Sequence, residues 1–333
     1  MTGSPTVRDV AKQAGVSVAT VSRSLNNQPG ISQHTRQRVL SAAHQLGYDL
    51  NNLRQSRLKR VLFLCRRQSQ TVSGNPFYSH VLHGVENACR TENLRLSFSR
   101  VSAGEPLPEL IARQEAEGLV CAGYFEPEQL REIKGLGLPT VLVDHWFPGV
   151  SSVNSDNFGG AYLLTEYLIS QGFGRIAFIG GPQQHYSIAQ LLQGYRHALL
   201  AHGRTPDSAL EVSSSPLDDE EGTESAVRQL LALPQRPDAI VAYNDATALR
   251  ALRVLGLSVP GDIAVVGFDD VASASVSFPP LTTIRIHKEE LGVRSVKSLL
   301  NRSSEVTQLI LPVSLVVRDR APSYVVLTAM SVS

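Results

Sequence analysis

Residues able to read a nucleic-acid groove crowd into one short stretch, SVATVSRSLN, from Ser17 to Asn26. Val18 and Ala19 are small and apolar and can touch thymine methyls. Arg23 can make a bidentate contact to guanine O6 and N7. Ser22 and Asn26 share the outward side of the same helical pattern. Ser17, Ser32 and Thr35, with the backbone N–H groups at helix starts, suit phosphate oxygens. A second set of polar residues follows short apolar runs further along: Asp144 after VLV, Asn244 and Asp245 after IVAY, Asp269 and Asp270 after VVGF. In open parallel sheets, ligands bind beyond the carboxyl ends of strands, so this set is a candidate small-molecule site. A carboxylate there accepts hydroxyl or N–H groups, and Asn244 can both donate and accept. Asp and Asn at strand ends also cap the following helix, and Asn244 fits either role.

Elements of the right size surround the first set. Thr6 is a natural N-cap, and Val7, Val10, Ala11 and Ala14 recur at i, i+3, i+4 and i+7, which predicts an amphipathic helix. Gly15 can take the positive φ of a C′ position and ends it. Val16 staples the turn, and Ser17 caps a second helix over Val18–Leu25. Ser32 caps a third, with Val39, Leu40, Ala43 and Leu46 on one face and Gly47 as its stop. Helix, tight turn, helix is a helix-turn-helix, and three such helices can close a small core. Residues 1–60 hold nine basic side chains against Asp9 and Asp49, net +7, and the remainder holds 22 basic and 28 acidic, net −6. A basic head on an acidic body implies a polyanion partner for the head alone. A helical protein-docking module would share this fold, but the charge excess and the outward Arg23 favour DNA.

The second set sits in an alternating text. VLFLC, LRLSFSRV, EGLVCA, PTVLVD, RIAFIGG, DAIVAYN and DIAVVGFDD read as strands. Helical stretches separate them: PFYSHVLHGVENACRTEN, then Pro127–Lys134, Phe158–Gln171, Ala189–His202, Glu220–Leu233 and Ala246–Leu255. Short apolar strands alternating with helices predict parallel sheets covered on both faces. About 260 residues suit two such units better than one.

Other chemistries fit poorly. GFGRIAFIGG holds a GxG, but before a strand and without the third glycine of a dinucleotide fingerprint. No GxxxxGK[ST] or GxSxG occurs, so neither phosphoryl transfer nor a serine nucleophile elbow is expected. His80 and His83 lie one helical turn apart, with no Cys or acid at metal-ligand spacing, and read as a surface pair. No enzyme activity, metal or cofactor is therefore expected. Hydrophobic residues make up 42% and charged residues 18%, an ordinary globular balance, with no apolar run long enough to cross a membrane. The first ten residues lack the pattern of a signal peptide, and Cys65, Cys89 and Cys121 have neither paired spacing nor an even count. These points predict a cytoplasmic protein with reduced thiols.

The head, VRDVAKQAGVSVATVSRSLNNQPGISQHTRQRVLSAAHQLGY, resembles the DNA-binding domain of the lactose/galactose-repressor (LacI/GalR) family of bacterial transcription regulators. The body resembles that family's effector domain, shaped like a periplasmic binding protein, through NPFY, VNSDNFGGAYLLTEYLISQG, RIAFIGGP, AYNDATALRALRVLGLSVPGDIAVVGFDD and PPLTTIR. The resemblance implies an all-α helix-turn-helix head and an α/β body of two doubly wound parallel-sheet subdomains. The implied divisions are a head at 1–48, a hinge at 49–60, a body at 61–320 and a tail at 321–333. Within the body, one subdomain takes about 61–156 plus 288–317. The other takes about 157–287 plus the C-terminal end. The resemblance assigns base reading to Val18, Ala19 and Arg23, and supporting DNA contacts to Val7, Ser17, Ser22, Asn26, Ser32 and Thr35. It places Phe77, Tyr78, Asn244 and Asp269 in the effector cleft, with His185 and Leu217 beside them.

Three departures from the family pattern stand out. A hinge helix usually wedges a Leu into the minor groove; here the wedge position falls on Arg57 and the expected Pro is Leu50. Leu58 or Leu53 could take the wedge through a register shift, Arg57 could enter the narrow groove electrostatically, or the hinge contact is weak. In the cleft, the position where sugar-binding members place an Arg is Leu191, and a common Gln is Ile286. The cleft is therefore more apolar, and either its effector is a sugar, a sugar derivative or a less hydroxylated molecule, or the site is degenerate. The chain ends with SYVVLTAMSVS and lacks a heptad tail, so the expected assembly is a homodimer on double-stranded operator DNA. A solute-binding protein without a transcriptional role shares the body but not the head.

Overall fold

The computed structural model describes residues 5–25, 30–48, 58–66, 77–102, 104–214, 220–258, 263–301 and 305–318, apart from the Ser22 side chain. Asn26, Leu50, Leu53, Arg57, Leu217 and the 321–333 tail lie outside that set.

The head is three helices, α1 (Val7–Ala14), α2 (Val18–Leu25) and α3 (Gln33–Gln45). Thr6 and Asp9 form a reciprocal capping box, and Gly15, at φ 62°, returns its N–H to the Ala11 and Lys12 carbonyls. Ser17 and Ser32 each accept the backbone N–H three residues on, from Thr20 at 3.1 Å and Thr35 at 3.2 Å. The core is Val10, Ala11, Ala14, Val21, Val39, Ala42 and Ala43. On α3 it uses Ala42 where periodicity pointed to Leu40, which is 40% exposed. Two alanines let α3 close against α1 and α2 in a domain with little room for larger side chains.

The body begins with Leu58, which is buried and belongs to the body core. Then come β1 (Arg60–Arg66), α4 (Phe77–Thr91), β2 (Arg95–Val101), α5 (Leu107–Arg113), β3 (Gly118–Ala122), α6 (Pro127–Gly135), β4 (Thr140–Val143) and β5 (Ser151–Ser155). The chain crosses to a second unit of α7 (Asn157–Ser170), β6 (Ile176–Gly180), α8 (Tyr186–Ala201), β7 (Glu211–Ser213), α9 (Glu220–Leu231), β8 (Ala239–Ala242), α10 (Asp245–Ser258), β9 (Ala264–Asp269), α11 (Ala272–Val276) and β10 (Thr283–Arg285). It returns as α12 (Lys288–Leu300) and β11 (Gln308–Leu311), and crosses once more to β12 (Ser314–Val316). The first sheet has the order β11-β5-β4-β3-β1-β2 and the second β12-β10-β9-β8-β6-β7. All pairings are parallel except β10 with β12. The expected 288–317 return is thus divided: it ends at Leu311, and Ser314–Val316 belongs to the second sheet.

Three chain crossings join the subdomains, and one continuous apolar cluster runs from Leu58, Phe63 and Val81 through Leu164 and Tyr195 to Phe268. Separate clusters cover the outer sheet faces, around Leu62, Leu107 and Phe125 in one unit and Ile179, Val227 and Ala251 in the other. Helices α4 and α12 cross where both lack a side chain. A Cβ on Gly84 would sit 2.0 Å from the Glu289 carbonyl oxygen, and one on Gly292 would sit 2.1 Å from that of Val81. Gly84→Ala must push the two backbones apart and is expected to destabilise the first subdomain by about 1–3 kcal/mol, read as a lowered midpoint in urea unfolding.

Candidate functional site

The head presents its second helix outward. Capping by Ser17 fixes where α2 begins, and burial of Val21 fixes which side faces inward. Val18 is 46% exposed, and Ala19 and Arg23 are exposed with it. Ser17 and Ser32 are exposed at the starts of α2 and α3, Thr35 is half-buried, and Val7 is half-buried against the head core. The arrangement is one short apolar pair and one long cation on an open helix face, flanked by two helix N-termini. Leu58 is not available to this surface. It is buried in the body, where a Cβ on Gly118 would lie 2.7 Å from its Cδ1, so burial of its apolar side chain removes it from the candidate wedges.

The second site is a cavity of about 490 Å³, counted out to its open mouth, between the carboxyl ends of the two sheets. Phe77 and Tyr78 from α4 and Asp144 from the end of β4 form the first-subdomain wall. His185, Ser187, Ile188 and Leu191 from the start of α8 face them, with Asn157, Tyr243, Asn244, Phe268, Asp269 and Ile286. Phe77, Tyr78, His185, Leu191, Asn244 and Asp269 therefore meet around one space. Of the five polar strand-end residues, Asp144, Asn244 and Asp269 line it and two do not. Asp270 is bound by Arg285 at 2.6 Å and by Arg318; burial would raise its carboxyl, but the two guanidiniums outweigh that and hold it low. Asp245 is fully buried and accepts the Val271 N–H at 2.8 Å and the Thr283 hydroxyl at 2.5 Å; burial pushes its pKa up to about 7. Asn244 caps α10, its Oδ1 accepting the Thr247 N–H at 2.8 Å, and the residue also lines the cavity.

Asp144 is the polar centre of the cleft. At φ 60° it turns its carboxylate toward the other subdomain. Tyr78 donates to it at 2.7 Å from its own side, Ser187 donates from across the cleft, and His185 Nε2 lies 3.6 Å away. Next to it, His145 is buried, its Nε2 bonded to the Phe125 carbonyl at 3.1 Å, and its backbone exchanges two bonds with the Asn154 amide. The rings of Tyr124, His145 and His185 lie 5.5–6.3 Å apart, and the Arg66 guanidinium sits 5.4 Å over Tyr124. Asn157, Tyr243 and Phe268 lie inside segments that resemble the family without being singled out there, and Ser187 and Ile188 lie outside them. Their place just after a strand or at a helix start hinted at them.

Elsewhere, His80 stands 3.9 Å from Glu289 and His83 meets Asn87 at 3.2 Å. Among the described residues no group of three or more His, Cys, Asp or Glu could hold a metal ion. All three cysteines are free and buried, and burial pushes the thiols of Cys65, Cys89 and Cys121 up to about 12, 11 and 12. Among the described residues no helix is long and apolar enough to cross a membrane.

A groove-reading head joined to a two-lobed ligand cleft defines a class of DNA-binding regulators. Residues 6–51 match the family model for bacterial regulatory proteins of the lacI family, and 165–319 match that for a periplasmic binding protein-like domain. The chain is 35% identical to the ribose operon repressor of Escherichia coli (strain K12) over 91% of its length and 94% of the repressor. Its structure superposes on a transcriptional regulator CelR–cellobiose complex with a TM-score of 0.72 and 32% identity, covering 94% of this chain and 99% of that one. It superposes on the lac repressor dimer bound to operator and the anti-inducer ONPF with a TM-score of 0.67 and 26% identity, covering 96% and 99%. The chain belongs to the lacI family of bacterial regulatory proteins. It is a transcriptional regulator and not an enzyme.

Two buried groups near the cleft set opposite pH responses. Burial first, then the neighbouring His185, pull His145 from 6.5 down to about 4, against the Phe125 bond. The unfolded chain therefore binds the extra proton between pH 6.5 and 4, and this residue's contribution to stability is lost as pH falls through that window. Asp245, raised from 3.8 to about 7, holds its proton in the folded state and opposes that loss between about pH 7 and 4. His145→Phe is expected to flatten the decline of the melting midpoint on acidification from pH 7 to 5, and Asp245→Asn to steepen it.

Proposed function

We propose that this regulator binds a pseudo-palindromic operator as a homodimer, one head per half-site, and that a small neutral effector in the cleft changes its operator affinity. The observation that carries this is the placement of a cavity lined by both subdomains, which Asp144 and Ser187 already link across it. A ligand seated there touches both lobes, so it binds the closed arrangement better than the open one. That difference in affinity is the coupling free energy any allosteric effect requires. Relief of DNA binding by an inducer is the sign we assign, with a sugar or sugar derivative as effector, supported by the cellobiose of the CelR complex.

On the DNA side, Val18 and Ala19 meet thymine methyls and Arg23 a guanine, while Ser17, Ser32 and Thr35 hold the backbone. Two-fold symmetry places the half-sites about one helical turn, roughly 10 bp, apart. The lac repressor similarity, to a dimer on operator, agrees with this arrangement.

The test is selection of duplexes from a random pool, followed by fluorescence anisotropy on the winner. Arg23→Ala should weaken binding by about 1–3 kcal/mol and relax preference at one base pair per half-site. A uniform loss over all sequences would assign Arg23 to a phosphate instead. Asp269→Ala should lower effector affinity by about tenfold or more and leave operator affinity without effector unchanged; an unaltered effector response sinks the cleft assignment.

A further inference from the structure

The cleft wall contains an amide donor that the fold leaves without a partner. Asn157, the first residue of α7, is 4% exposed and lines the cavity. Its Oδ1 accepts the Ser155 hydroxyl at 2.9 Å, which orients the amide, and its Nδ2 is buried with no protein partner. An amide donor held out of water with nothing to bond is unfavourable, and such groups are few in folded proteins. A ligand acceptor seated in the cleft would remove that penalty.

The rest of the wall narrows the chemistry of that ligand. Ile188, Leu191, Phe268 and Ile286 make one side apolar. Among the described residues that line the cavity there is no Lys or Arg, whereas Asp144 and Asp269 are both there. The buried Lys288 gives its Nζ to the Asp269 backbone carbonyl. An anion placed in this cleft would meet two carboxylates and no lining cation, with much of its hydration stripped away.

We propose that Asn157 is a specificity-determining contact that donates its side-chain N–H to an acceptor oxygen or nitrogen of a neutral ligand with one apolar face, and that the cleft excludes anions such as sugar phosphates. This rests on the cleft being the effector site. Leu191 then marks a change of mechanism. The donor comes from the start of α7 instead of from α8, and it carries no charge.

The experiment is calorimetric titration of the full chain with three neutral probes, D-ribose, cellobiose and hypoxanthine, and two anions, D-ribose 5-phosphate and gluconate. Fluorescence of Trp146, the single tryptophan, beside Asp144 and His145, follows the cleft in parallel. At least one neutral probe should bind and neither anion should. Asn157→Asp keeps an acceptor for Ser155 but has no donor, and should weaken that binding by about tenfold or more. Asn157→Leu, of similar size, should give the same loss if the aspartate disturbs folding. Tighter binding of either anion, unaltered affinity in both variants, or no binding by any of the five probes overturns the proposal. Release of operator by an anion overturns it while leaving the cleft as the effector site. Binding of a neutral probe that needs Asn157 yet leaves operator affinity untouched supports the contact and sinks the effector reading.

Discussion

One carboxylate bonds to both halves of this molecule across the cleft. Asp144 leaves β4 with a positive φ, takes a hydroxyl from Tyr78 on its own side and takes the Ser187 hydroxyl from the opposite subdomain. Those bonds form in a half-buried setting, where a hydrogen bond to a carboxylate is stronger than at the open surface and an abandoned partner is costly. Three chain crossings among the described residues and a shared apolar cluster also join the lobes. The Asp144 contact lies across the cleft, between the aromatic wall of Phe77 and Tyr78 and the apolar wall of Leu191 and Ile286.

The head and body divide the labour along a charge boundary. Net +7 sits in the first 60 residues and net −6 in the remainder, and since Arg60 already belongs to β1 and pairs with Glu115 and Glu117, the excess that attracts DNA lies ahead of the body. The head gets its rigidity from caps and a core of small side chains. The body gets its own from long apolar layers shared by both subdomains. Leu58 marks where the body begins, because its side chain is already buried in the first subdomain. That leaves residues 49–57 as the stretch joining the last head residue to the first buried body residue.

Neighbouring carboxylates with the same local sequence context have different fates here. Asp269 and Asp270 are adjacent, yet Asp269 lines the cleft while Asp270 is claimed by Arg285 and Arg318. Asn244 and Asp245 divide in the same way, one at the cavity and one buried under Val271 and Thr283. The strand-end rule finds the pairs. Beyond the strand the pleat no longer fixes direction, since Asp269 and Asp270 have φ 111° and 53° and Asp245 opens α10, and only the packing of the neighbouring helix and strand says which side chain faces the cleft.

Much of this protein could be read from its residues alone, wherever the signal is local. Thr6, Ser17 and Ser32 cap, Gly15 turns, and the apolar runs of β1, β3, β6, β8 and β9 announce buried parallel strands, because caps and periodicity act over a few residues. Family resemblance brought Phe77, Tyr78 and Asp269 to one site. Tertiary structure decided the rest. It made a strand of Ser151–Ser155, a polar run that becomes buried because β4 and β11 flank it and Asn154 pairs with the His145 backbone. It chose Ala42 over Leu40, divided the C-terminal return between two sheets, and drew Leu58 inward. It also left Asn157 Nδ2 without a partner at the cleft. Each of these outcomes depends on contacts between residues far apart in the chain, whose free energy exists only once both partners are in place.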